Sequence, residues 1–205
     1  MILITGINGE MGSALVKKLH ELQFDNIIGF DLNEPKDYIK KYLYNSYTGD
    51  IQNESLIKKI FENNKINTIY HLASILSTKA ESNPIMAHNI NVGGFINIIK
   101  NINQSNVKLF FPSSIAVYYI LENKNNNPIT EEQFCNPNNI YGCNKLYCEN
   151  LGTYFSKYSN KIDNLDFRTI RFSGIISANT LPHGGTSDYA PEMIHCAAQN
   201  KNYTC

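Results

Sequence analysis

The 205-residue chain has no excess of charge of either sign, with 18 Lys and Arg against 18 Asp and Glu. Without a global positive field nothing gathers nucleic acid or anionic lipid, so neither is expected as a partner. The five cysteines, Cys135, Cys143, Cys148, Cys196 and Cys205, form no CxxC pair and are odd in number. That pattern argues against a zinc knuckle and against a secreted disulfide scaffold, so no metal is expected and the compartment is read as the reducing cytoplasm. No apolar run approaches the roughly 18 residues of a membrane span. The opening MILITG already reads as a strand running into a glycine turn, which leaves no room for a leader, and a soluble protein is expected. There is no internal repeat, and the abundance of Asn, Lys and Ile is spread evenly rather than gathered in a low-complexity segment.

What the chain does have is alternation. Residues 1–5 are an apolar run ending at glycine, and Met11, Leu15, Leu19 and Leu22 then recur at helical spacing. A second apolar run, 26–30, stops at Asp31. A third strand is predicted near 44–48 and a helix over 53–64. NTIYHLA reads as strand four, 83–103 as one long helix, and VKLFFPSS as strand five. Residues 121–139 lack periodicity and read as a surface loop. Helical spacing resumes over 141–158, LDFRTIRF is a further strand, and a helix over 190–200 follows a glycine-rich loop. Strand and helix in turn predict an α/β fold, a Rossmann-type doubly wound parallel sheet with right-handed crossovers.

Two constellations carry chemistry. Gly6-x-x-Gly9-x-x-Gly12 follows strand one and opens the first helix. Glycines there let the backbone approach a pyrophosphate, whose charge is held by helix N-terminal amides. Asp31 lies about 20 residues further on, where a carboxylate accepts from ribose hydroxyls and repels a 2′-phosphate, which favours NAD over NADP. Asp50 and Ile51 are placed to meet an adenine ring, although a solvated loop aspartate fits Asp50 as well. HLAS, residues 71–74, closes strand four with small residues suited to a cofactor lying against the backbone, and His71 itself reads as a core histidine. The second constellation is Tyr141-x-x-x-Lys145, downstream of Ser113 and Ser114. Spacing of i, i+4 places phenol and ammonium on one helix face, so the lysine charge can draw the tyrosine towards a usable base.

The ordered set GxxGxxG, acidic residue, DI, HLAS, Asn91 in NVGG, PSSIAVY, YGCNK and RF resembles the extended short-chain dehydrogenases, the NAD-dependent epimerase/dehydratase superfamily. TIYHLASILSTKAESNP, FFPSSIAVY and GIISANTLPHGGTSDYAPEMIHCA followed by NYTC are most similar to its L-threonine 3-dehydrogenase branch. That resemblance implies NAD contacts at Gly6, Gly9, Glu10, Met11, Gly12, Asp31, Leu32, Asp50, Ile51, Leu72, Ala73, Ser74, Asn91, Tyr141 and Lys145. It makes Tyr141 the base, Lys145 its electrostatic partner and ribose anchor, and Ser114 the hydroxyl on the substrate oxygen, with Ser113 as the alternative. Asn91 supports the lysine, and Ser77 and Thr186 face the amino and carboxylate groups of threonine. Departures occur at Phe172-Ser173, where the family has Tyr-Pro, and at Tyr119, where it has glycine. The implied division is 1–178 as the NAD-binding domain and 179–205 as the beginning of a truncated substrate-binding lobe.

The activity expected on this basis is oxidation of the C3 hydroxyl of L-threonine to 2-amino-3-oxobutanoate. Two other readings stand beside it: a sugar-nucleotide epimerase or dehydratase, and a truncated non-catalytic NAD-binding module. Apolar positions on the helices 83–103 and 141–158, namely Ile90, Phe95, Ile98, Ile99, Tyr154 and Phe155, exceed one sheet-facing stripe. With the resemblance, they imply a homodimer through a four-helix bundle.

Overall fold

Central strands of a parallel sheet are covered on both faces and therefore read as unbroken apolar runs. Ile2–Thr5 and Ile27–Asp31 follow that rule and form β1 and β2, with every residue but Asp31 buried. The computed structural model describes residues 1–119, 128–176 and 188–204. In chain order its elements are β1, α1 (Glu10–Glu21), β2, α2 (Asp37–Lys40), β3 (Asn45–Thr48), α3 (Glu54–Asn63), β4 (Thr68–His71), α4 (Ser77–Ser82), α5 (Pro84–His88), α6 (Gly94–Asn101), β5 (Lys108–Ser114), α7 (Ile140–Lys157), β6 (Asp166–Phe172) and α8 (Tyr189–Ala198). The strands lie in the order β3-β2-β1-β4-β5-β6, every neighbouring pair parallel. This is the predicted doubly wound α/β sheet, and the order reverses between β1 and β4, where such sheets open their ligand crevice.

Strand side chains alternate between faces, and two cores follow. Leu3, Ile28, Phe30, Ile69, Leu109 and Phe111 pack with Ile57 and Ile60 of α3 and Phe95 and Ile98 of α6. Ile2, Ile4 and Ile27 point the other way, onto Val16 and Leu19 of α1 and Ile39 of α2. Towards β6 this second face thins out, and Ile170 is left 54 % exposed.

Several expectations need correction. The helix read over 83–103 starts at Pro84, with the Asn83 side chain accepting from the Met86 amide at 3.1 Å, and is interrupted by a π turn at Asn89–Gly93 before α6 ends at Asn101. The short helices α2 and α4 carry too few turns to show a period and went unread. Phe95, Ile98 and Ile99 are at most 3 % exposed and belong to the core, with Ile90 and Phe155 packed against it. Of the apolar positions proposed to face a partner, Tyr154 alone is exposed, at 52 %.

Candidate functional site

The turn after β1 is fixed by sterics. Gly6 adopts φ +75°, a region that L side chains avoid. A Cβ on Gly12 would lie 2.1 Å from the Gly6 carbonyl oxygen and 2.7 Å from Ile7 Cα, so the first turn of α1 sits backbone to backbone on the glycine turn. Gly9 caps that helix with no side-chain hydrogen bond, leaving first-turn amides for an anion. The residues thus fit a dinucleotide diphosphate: the cradle is one that a Cβ would fill.

Asp31 closes the same end. Its carboxylate accepts from the Asn8 amide at 2.9 Å and the Asn33 amide at 3.2 Å. Asn8, unremarked in the sequence, ties the two loops: its Nδ2 donates to the carbonyls of Asn33 and Glu34, and its Oδ1 accepts from the Lys36 amide. Leu32 is 65 % exposed beside them. Asp50 is exposed and accepts from the Gln52 amide at 2.8 Å. Ile51 is 5 % exposed, and its side chain packs into the core beside Gly94.

At the end of β4, His71 Nδ1 pairs with Thr5 Oγ1 at 3.0 Å, and Thr5 Oγ1 also accepts from the Ala73 amide at 3.1 Å. Burial, aided by the Lys145 charge, lowers His71 to about 3, so it is a neutral core histidine. Asn91 lies in the π turn, a feature that recurs at functional sites. Its Oδ1 accepts from the Ile75 amide at 2.9 Å and the Ser74 hydroxyl at 3.1 Å, and its Nδ2 donates to the Ile75 carbonyl. Its side chain therefore holds the segment after β4 and makes no bond to Lys145.

On the opposite wall, Ser114 ends β5 with its hydroxyl accepting from the Ala116 amide at 3.1 Å. Ser113 is 3 % exposed, and its hydroxyl finds no partner among the described residues. Asn139 caps α7 through the Gly142 amide at 2.7 Å and reaches the Ala116 carbonyl at 3.4 Å. A Cβ on Gly142 would meet that same carbonyl oxygen at 2.1 Å, so the start of α7 is pressed onto the turn Ile115–Val117 and Tyr141 is placed with it. One turn later Lys145, 3 % exposed, donates to the Pro112 carbonyl at 2.8 Å. Its Nζ lies 4.6 Å from the Phe111 ring centre and 5.4 Å from that of Tyr141. Burial lowers the lysine to about 8 and raises Tyr141 to about 12. Burial is the cause of the rise, so the phenol stands above its ordinary range, contrary to the effect that the i, i+4 spacing predicts.

These walls enclose a cleft of about 540 Å³. It brings together Gly6, Gly9, Glu10, Met11, Gly12, Leu72, Ser74, Ser77, Ser114 with its alternative Ser113, Tyr141 and Lys145 of the sequence-predicted residues. Asp31, Leu32, Asp50, Ile51, Ala73 and Asn91 do not line it, and Thr186 falls outside the described residues. Sequence reasoning missed Leu76, Ile115, Ala116, Asn139 and Asp188; only Asn139 carried a local signal, as a capping residue before an apolar helix. A second concavity, about 520 Å³, lies at β4–β6 and contains no predicted site residue. Among the described residues no group of three His, Cys, Asp or Glu side chains could hold a metal, and no helix is long and apolar enough to cross a membrane.

Residues 2–205 match the NAD dependent epimerase/dehydratase family. An uncharacterized epimerase/dehydratase of Staphylococcus haemolyticus is 35 % identical over 99 % of this chain and 62 % of its own length. The mitochondrial L-threonine 3-dehydrogenase of Bos taurus is 32 % identical over the whole chain and 53 % of its own length. Among solved structures, the L-threonine dehydrogenase of Clostridium difficile superposes with a TM-score of 0.85 at 36 % identity, over all of this chain and 62 % of that one. The chain thus spans between about half and two thirds of the length of these relatives.

Proposed function

Because the chain belongs to the NAD dependent epimerase/dehydratase family, whose cofactor is NAD, we propose that it forms the cofactor-binding and proton-transfer part of an L-threonine 3-dehydrogenase, an enzyme of threonine catabolism. The observation that carries this reading is the cleft in which Ser114, Tyr141 and Lys145 face the glycine turn. Threonine as the substrate rests on similarity to relatives named for that activity.

In this reading residues 1–178 are the NAD-binding domain and 179–205 begin the substrate lobe. The Gly6–Gly12 turn would hold the diphosphate of NAD, Asp31 its adenosine ribose, and the Lys145 ammonium its second ribose. When bound, NAD supplies the hydride acceptor at nicotinamide C4 and a positive charge near the phenol. Ser114 holds the substrate's C3 oxygen, and Tyr141 in its phenolate form accepts the hydroxyl proton as the C3 hydrogen leaves as hydride, giving 2-amino-3-oxobutanoate. Lys145 favours the phenolate by charge. Ser77 and Thr186 take the amino and carboxylate groups. Ser113 is the lesser candidate for the catalytic hydroxyl, being the more deeply buried of the pair. Exposed Tyr147 and Tyr154 on α7, Tyr158 just after it, and Ile85 on α5 are the surface left for a homodimer through a four-helix bundle.

A sugar-nucleotide epimerase is the second reading, favoured by the name of the staphylococcal relative. A version carrying a complete C-terminal lobe should form NADH when given L-threonine and leave UDP-sugars unchanged. Conversion of UDP-sugars without threonine turnover supports the epimerase, and NAD binding without either reaction supports a non-catalytic module.

A further inference from the structure

One buried ion pair lies just behind the site. Glu149 sits one turn beyond Lys145 and two beyond Tyr141, so the three occupy one face of α7. Arg171, on β6, is paired in register with Ser113 of β5 and immediately precedes Phe172, which lines the cleft. Its Nε donates to Glu149 Oε1 at 3.0 Å and its Nη2 to Oε2 at 2.7 Å, a bidentate fork whose side chains are 15 % and 9 % exposed. The remaining Nη1 donates to the Tyr118 hydroxyl at 2.7 Å and the Glu131 carbonyl at 2.6 Å, with the guanidinium 4.8 Å from the centre of the Tyr118 ring. One side chain therefore joins β6, the catalytic helix, the residue after the Ile115–Val117 turn, and the segment before α7.

We propose that Arg171 and Glu149 are positioning residues for the cofactor site: the pair sets α7 against the ends of β5 and β6 and thereby the place and charge environment of Lys145. This rests on the reading of Lys145 as the ribose anchor. A merely structural brace would weaken binding equally at every pH. A pair that tunes Lys145 moves the pH at which the ammonium, and with it NAD affinity, is lost. The titratable groups facing Lys145 are His71 from β4 and Tyr141, Cys148 and Glu149 from α7. Burial holds His71 neutral, at about 3, and Tyr141 and Cys148 neutral, at about 12 each. Burial lowers Lys145 to about 8, opposed by the Glu149 charge, so of His71, Tyr141, Cys148 and Lys145 the lysine is the one that titrates between pH 6 and 9.

The two partners then predict opposite signs. Glu149→Gln removes a negative charge and should move the fall of NAD affinity to lower pH by about one unit. Arg171→Gln leaves Glu149 without its neutralising cation and should move it to higher pH. Glu149→Asp, which keeps the charge, should restore the original midpoint. Calorimetric titration of NAD into the chain and its folded variants from pH 6 to 9 reads all three, and either Gln variant carries the test if the other does not fold. Midpoints that do not move, or that move in the same direction, overturn the proposal. Failure of the unaltered chain to bind NAD at any pH overturns the ribose-anchor reading as well, so the two failures are distinct.

Discussion

The cofactor end and the catalytic end of the cleft are built differently. Around the glycine turn polar groups are largely paired within the chain: Asn8 holds the loop after β2 through both side-chain atoms, and Asp31 accepts two amides. Glu10 Oε1 is the exception. At the catalytic end, Ser113 Oγ on the cleft wall is buried with no partner among the described residues, as are Asn144 Nδ2 next to Lys145 in the chain and His71 Nε2 in the core behind, and the Lys145 ammonium is buried on the Pro112 carbonyl. Buried groups of this kind are costly to leave unpaired. The contrast sets a cofactor cradle whose polar groups are largely paired within the chain beside a reaction end where several buried polar groups are not.

The largest effect that would break this contrast is expected from Tyr141→Phe. In a lobe-complete protein it should lower turnover by about 10²- to 10⁴-fold, the usual loss of a general base, while NAD affinity is kept. Equal loss of affinity and turnover would mean that the phenol serves binding and that the two ends are not separate. Gly12→Ala acts on the cradle alone. Its methyl has backbone on every near side, so the turn must shift, and a stability loss of about 2 to 3 kcal/mol is expected in urea unfolding together with loss of NAD binding. A variant that binds NAD normally would show the turn to be less constrained than its geometry implies.

How much of each end was legible follows from the range of its contacts. The glycine turn, Asp31 and the pairing of Tyr141 with Lys145 are local relations, set by a turn, a strand end and a helical period, and the sequence displays them directly. Asn8 was not legible because its partners, residues 33–36, lie across a loop. Arg171 and Glu149 are 22 positions apart and meet only when β6 lies beside β5. The apolar excess on α6 is in large part the core itself, where Phe95, Ile98 and Ile99 are buried.

A smaller effect is expected at His71. Its folded value, depressed by burial to about 3, lies below the unfolded value of roughly 6.5. Its contribution is therefore fully present above pH 6.5 and is lost as pH falls through 6.5 towards 3. The unfolding free energy from urea titration should drop by about 1 kcal/mol more between pH 7 and 5.5 for the unaltered chain than for His71→Asn. Equal slopes would show that the ring is already open to solvent.

The most direct test of the account titrates NAD and NADP separately into this chain and into Asp31→Ala at fixed salt. A cradle complete in itself predicts that NAD binds, that NADP binds more weakly because its 2′-phosphate meets Asp31, and that Asp31→Ala weakens NAD by about 1.5 to 3 kcal/mol and narrows the difference between the two. Tighter binding of NADP than NAD by the unaltered chain, or no binding of either, would contradict it.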